Sequence, residues 1–137
     1  MKVIKSTKII YCDVDETLIL WEWKDYTEDI SKLVSIRDPD SGVEVYGLPH
    51  NRHIELLKQF KSRGHTVVVW SQGGAEWAER AVMTLEIDHL VDVVLAKPDW
   101  YIDDLHANAF MESPIYLDPM NPLKDKRAQG VDDEDEG

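Results

Sequence analysis

Two aspartates stand two positions apart in the run Asp13-Val14-Asp15-Glu16-Thr17, directly after the β-rich stretch Thr7 to Cys12. A strand that stops abruptly at carboxylates holds them at its carboxyl end, where open parallel sheets place their sites. A carboxylate there can attack as a nucleophile and form a covalent intermediate. A second carboxyl nearby can give up a proton and later take one back. This division of labour suits phosphoryl transfer, which needs a nucleophile, a proton donor for the leaving oxygen and positive charge around the equatorial oxygens. Two carboxylates repel a phosphate, so a cation is required. Magnesium fits, because it takes one or two carboxylates and keeps the rest of its shell for water and phosphate oxygens.

Further polar groups recur at matching places. Ser71 ends the apolar run His65 to Trp70, and its hydroxyl can donate to a phosphoryl oxygen. The amides of Gln72 and Gly73 lie just before an expected helix and are additional donors to an anion. Lys97 can hold the transferring group and offset the carboxylates, and Asp103 and Asp104 can complete a magnesium site.

The elements that must position these residues alternate. Thr7 to Cys12, His65 to Trp70 and Val91 to Leu95 read as strands, Trp100 to Ile102 as a very short fourth and Ile115 to Leu117 as a fifth. Three consecutive valines in the second suit a parallel strand covered on both faces. His50 to Arg63 carries Ile54, Leu56, Leu57 and Phe60 at helical spacing, and Gly64 marks its end. A second helix follows Gly74, with Trp77, Ala78, Ala81, Val82 and Leu85 on one side. Val34 to Arg37 and Val43 to Tyr46 flank the turn Asp38-Pro39-Asp40-Ser41-Gly42, which predicts a β-hairpin inserted after the acidic loop. The alternation predicts a three-layer α/β fold with a central parallel sheet.

In these residues the chain resembles the haloacid dehalogenase (HAD) superfamily. Asp13 to Thr17 matches its DxDx[TV] first motif, and Val67-Val68-Val69-Trp70-Ser71 its second, an apolar strand ending in Ser or Thr. Lys97 is similar to the third-motif lysine, and Ile102-Asp103-Asp104 to the paired acids of the fourth. The likeness runs from about Lys8 to Leu117, and four motifs in order are far more specific than one. It implies a Rossmann-like, HAD-like domain and a magnesium-dependent phosphatase. Asp13 would be nucleophile and metal ligand. Asp15 would be acid and base, with its backbone carbonyl on the metal. Thr17 would steady the loop, and Ser71 and Lys97 would bind the phosphoryl group. Asp103 would ligate magnesium, with Asp104 beside it or acting through water. An Asp at the second acid favours phosphatases over dehalogenases. The chain departs from the pattern in that Lys97 stands only six residues before Asp103, so the third and fourth motifs nearly fuse. The insertion at 18–49 is short, which resembles the capless type. An open site of that kind suits a large substrate, such as a phosphoprotein or a polynucleotide end, or a site roofed by a second subunit in a homo-oligomer; the expected partner is a phosphorylated substrate, a small molecule or a macromolecular end.

A 43% apolar share over 137 residues supports a real core, and the expected organisation is one domain over 1–120 followed by a flexible acidic tail over 121–137. The net charge of -12 argues against broad binding to nucleic acid, which enters only as a substrate. No apolar run approaches a membrane span, and the polar, basic start lacks a signal-peptide pattern, so a cytoplasmic protein without membrane partners is expected. The single cysteine, Cys12, forbids an internal disulfide and reads as a buried thiol. Five histidines show no zinc spacing and are expected at the surface or at helix ends. Trp21 and Trp23 alternate, and either stack on a substrate ring or pack the hairpin on the core. Trp70 and Trp77 read as core. The same residues would serve a phosphotransferase, and a phosphate- or protein-binding module without turnover is the alternative from another class.

Overall fold

β-branched residues set the first sheet. Ile9–Asp13 (β1), Thr66–Ser71 (β5) and Val93–Ala96 (β6) form a parallel sheet in the order β1-β5-β6. The structure is a computed structural model and describes residues 7–128. The described residues fall into two compact units, one ending at Lys97 and the other starting at Pro98. The register pairs Cys12 with Val69, Asp13 with Trp70, and Ser71 with Ala96. The three strands therefore end together. Val67, Val68 and Val69 are all buried, as a central parallel strand covered on both faces requires. The third strand starts at Val93 rather than Val91, because Asp92 turns its carboxylate inward to accept the Val67 amide at 2.8 Å.

Asn51–Ser62 (α1) and Ala75–Thr84 (α2) are the two α-helices among the described residues. α1 packs on β5 and buries His53, Leu57 and Phe60. Gly64, at φ +83°, supplies the left-handed residue that ends it. α2 packs on β5 and β6 through Ala78, Ala81 and Val82. Burying each larger side chain, such as Leu57, Phe60 or Val82, stabilises the unit by roughly 1.5–3 kcal/mol.

The expected hairpin is present. Val34–Arg37 (β3) and Glu44–Pro49 (β4) pair antiparallel, and Ile19–Leu20 (β2) joins on the other side of β4. Asp38 Oδ1 accepts the Asp40 amide at 2.8 Å and Gly42 takes φ +73°, which closes the turn. β3 also packs against α2, so the hairpin lies over the helix that follows Ser71.

The second unit differs from expectation. Trp100 to Ile102 form no strand: Trp100 and Ile102 are almost wholly exposed, and no backbone hydrogen bond reaches them among the described residues. Ile115 to Leu117 reduce to one antiparallel bridge between Tyr116 and Lys126. Short 3-10 turns occupy Ala107–Ala109 and Pro122–Lys124. Of the predicted tail, residues 129–137 lie outside the described residues.

Candidate active site

The loop leaving β1 closes on itself. The Val14 carbonyl accepts the amides of Thr17, Leu18 and Ile19 at 3.2, 2.8 and 3.2 Å, a single tight turn. Glu16 sits at φ 59°, a left-handed conformation that costs a non-glycine residue energy and persists because its surroundings enforce it. Its Oε1 accepts the Trp21 amide at 3.0 Å, and its own amide donates to the Ile19 carbonyl at 2.8 Å. Val14, Leu18, Ile19 and Leu20 are buried beneath. Two buried histidines brace the turn from α1. His53 Nδ1 lies 2.6 Å from the Thr17 carbonyl and must carry the hydrogen there. His50 Nδ1 accepts the His53 amide at 3.1 Å and so caps α1. Their rings stack at 3.6 Å with an interplanar angle of 6°. The expected helix-end role holds for His50, but both side chains are core rather than surface, because they tie α1 to the acidic loop.

Asp13 ends β1 half-buried, and its carboxylate makes no hydrogen bond or ion pair among the described residues. Asp15 is instead fully engaged. Its Oδ1 accepts the indole N–H groups of Trp21 at 2.8 Å and Trp77 at 3.1 Å, and its Oδ2 lies 3.4 Å from Ser71 Oγ. Ser71 is fully buried, and its Oγ also accepts the Gly73 amide at 3.0 Å. Ser71 does not cap α2; Gly74, at φ +105°, holds that position with no side-chain bond. The Gly73 amide is thus committed to Ser71, while no hydrogen bond falls on the Gln72 amide among the described residues. The Ser71 carbonyl accepts the Lys97 amide at 2.8 Å, which fastens the residue after β6 to the end of β5. The Lys97 ammonium lies 5.7 Å from the centre of the Trp70 ring, and Trp70 is the register partner of Asp13.

Asp13, Asp15, Thr17, Ser71, Gln72, Gly73 and Lys97 thus come together at the carboxyl end of one sheet in the first unit. Asp103 and Asp104 belong to the second. There Asp103 Oδ1 accepts the Leu105 amide at 3.0 Å, and this bond, with a further one from Asp104, holds its carboxyl below the usual range. Both acids are exposed.

Among the described residues, no three His, Cys, Asp or Glu side chains gather as a metal site. Magnesium asks for less, since one or two carboxylates and substrate phosphate suffice. The unpartnered Asp13 carboxylate and the Asp15 carbonyl, on which no hydrogen bond falls among the described residues, are hard oxygen donors of that kind. The donor set fits the ion. Cys12 is the expected inert thiol: burial, aided by the neighbouring Asp13 charge, pushes it up to about 12.

A cavity of about 540 Å³ lies elsewhere, between the hairpin and α2, and includes Arg37, Glu76 and Arg80 but none of the residues above. The contacts of Trp21 and Trp77 with Asp15 escape a sequence reading. Trp77 reads as core, yet it is half-buried and points its N–H at Asp15. Trp23 lies in a 3-10 turn, Trp23–Asp25, so it does not alternate with Trp21 along an extended segment. The legible signal is that an indole N–H taken out of water needs an acceptor, and Trp21 and Trp77 follow the polar strand ends Asp13 and Ser71 by eight and six residues. No family model, curated protein or solved structure matches the chain.

Proposed function

We propose that the protein is a magnesium-dependent phosphomonoester hydrolase that works through an aspartyl-phosphate on Asp13, on a HAD-like three-layer domain. One observation carries this reading: three parallel strands end side by side, β1 in Asp13, β5 in Ser71, and β6 immediately before Lys97. The nucleophile, a hydroxyl donor and a cation on adjacent strand ends are the parts that phosphoryl transfer needs.

Asp13 is free to attack phosphorus. As its oxygen bonds to phosphorus, the ester P–O bond breaks and the leaving oxygen takes a proton from Asp15. Asp15 then takes a proton from water as that water attacks the phospho-aspartate, which releases phosphate and restores the Asp13 carboxylate. Lys97 holds positive charge beside the transferring group, and the Gln72 amide is an additional donor. The Asp13 carboxylate and the Asp15 carbonyl would hold magnesium, which would supply the charge that lets a phosphate approach two carboxylates. Ser71 contacts Asp15 directly, so its hydroxyl serves the site first by orienting that carboxyl.

The deciding measurement is phosphate release from p-nitrophenyl phosphate and a panel of phosphorylated metabolites and oligonucleotides, with magnesium and with EDTA. Turnover is expected only with magnesium. Asp13→Asn is expected to lower kcat by roughly 10³-fold or more, as loss of a nucleophile does. Equal hydrolysis by wild type and Asp13→Asn would sink the proposal.

A further inference from the structure

Asp15 Oδ1 takes two hydrogen bonds from groups that can only donate. The Trp21 and Trp77 indole N–H groups reach it at 2.8 and 3.1 Å from different elements, one just past β2 and the other in the first turn of α2. Their rings lie 5.8 Å apart, tilted by 35°. None of the other three tryptophans directs its N–H at a carboxylate among the described residues.

Two glycines keep both rings seated. A Cβ at Gly47 would collide with Ile19 and stand 2.8 and 2.9 Å from Trp21 ring carbons. A Cβ at Gly73 would stand 3.0 Å from Trp77 Cδ1 and 3.3 Å from Ser71 Oγ. Neither glycine has the positive φ that would otherwise explain it. Both positions are small because an indole, or the hydroxyl facing Asp15, occupies the space.

The chemical consequence follows from donor and acceptor counting. An indole N–H cannot accept a proton, and an oxygen facing two such groups has no direction left for a hydrogen of its own. Ser71 Oγ, beside Oδ2, can donate or accept and tolerates either state of the carboxyl. We infer that Trp21 and Trp77 are positioning residues that lock Asp15 so that Oδ2 alone gives and takes the proton. This rests on the reading of Asp15 as acid and base.

The test is a leaving-group series. kcat/KM covers the steps up to loss of the leaving group, where a proton donor matters most for a poor leaving oxygen. The Trp21→Phe/Trp77→Phe protein keeps the rings and removes both N–H groups. Its kcat/KM is expected to fall roughly tenfold or more for an alkyl phosphate and less than about threefold for 2,4-dinitrophenyl phosphate. In an Asp15→Asn background the same pair is expected to add no leaving-group dependence. An equal fall across the series, or the same dependence in both backgrounds, overturns the inference. Indole N–H resonances in a ¹⁵N spectrum separate this from the phosphatase reading: two of the five are expected to move in Asp15→Asn. If wild type hydrolyses nothing, the phosphatase reading fails, and unmoved indole resonances overturn the placement independently.

Discussion

At the scale of single residues, the site divides its two carboxylates by environment. Asp13 ends its strand with an unengaged carboxylate, and Asp15, two residues on, is held by two indoles and a serine. A nucleophile must be free to bond and an acid must be oriented, so the asymmetry supports the two proposed roles. Directly before Asp13 stands Cys12, buried, with its thiol pushed up to about 12 by burial and then by the Asp13 charge. Only the thiolate reacts with disulfide reagents, so at pH 8 the native thiol is both shielded and protonated. Titration with an aromatic disulfide reagent is expected to show no fast reaction in the native protein and one equivalent after denaturation. Rapid native labelling would mean that the floor of the site is open. His53 acts at the same scale: its Nδ1–H holds the Thr17 carbonyl, a bond that sequence spacing alone does not reveal across 36 positions.

At the scale of elements, β6 is tied to its neighbours through Asp92, which accepts the Lys61 ammonium and the Val67 amide. The Lys61 bond first, and the Val67 amide second, hold the Asp92 carboxyl below its usual value of 3.8. A depressed carboxyl stabilises the fold fully above that usual value, and the contribution disappears as pH falls through the lower folded value. Asp92→Asn is therefore expected to cost on the order of 1 kcal/mol near neutral pH, a modest figure because the pair is about one-third exposed. Thermal melts of both proteins are expected to converge as pH drops from about 5 to about 2. A gap that does not narrow would show that the charge is not what matters. These elements also mark how far the sequence could be read. The valine run of β5, the periodicity of α1 and the Asp38 to Gly42 turn are local signals, and the elements appear where those signals put them. Trp100 to Ile102 carries the same apolar composition and forms no strand, because a strand is a pairing and composition does not supply a partner. Asp13 and Ser71 were legible as strand ends, whereas Lys97 entered only through its likeness to a motif lysine and proves to follow β6 directly. The indole contacts on Asp15 were not, since they depend on where the hairpin and α2 bring two rings.

At the scale of the whole molecule, charge decides what can approach. The chain carries 27 acidic and 15 basic residues, a net charge of -12. Such a field lowers the local concentration of polyanions and slows their encounter, and added salt screens it over a Debye length of ~10 Å at 0.1 M. A substrate panel therefore carries a sign test. For a 5′-phosphorylated oligonucleotide, kcat/KM is expected to rise a fewfold as salt goes from about 50 to about 200 mM, while p-nitrophenyl phosphate changes little, because only the long polyanion meets the summed field. A protein built to hold nucleic acid through cationic side chains shows the reverse, with binding falling steeply over the same range as counterions are released. A fall for the oligonucleotide would mean that Lys97 and other cations form a local track for the strand despite the overall charge, and would make a polynucleotide end the favoured substrate. A rise would direct the search to small phosphorylated molecules, whose encounter depends on the immediate surroundings of Asp13 rather than on the charge of the whole chain.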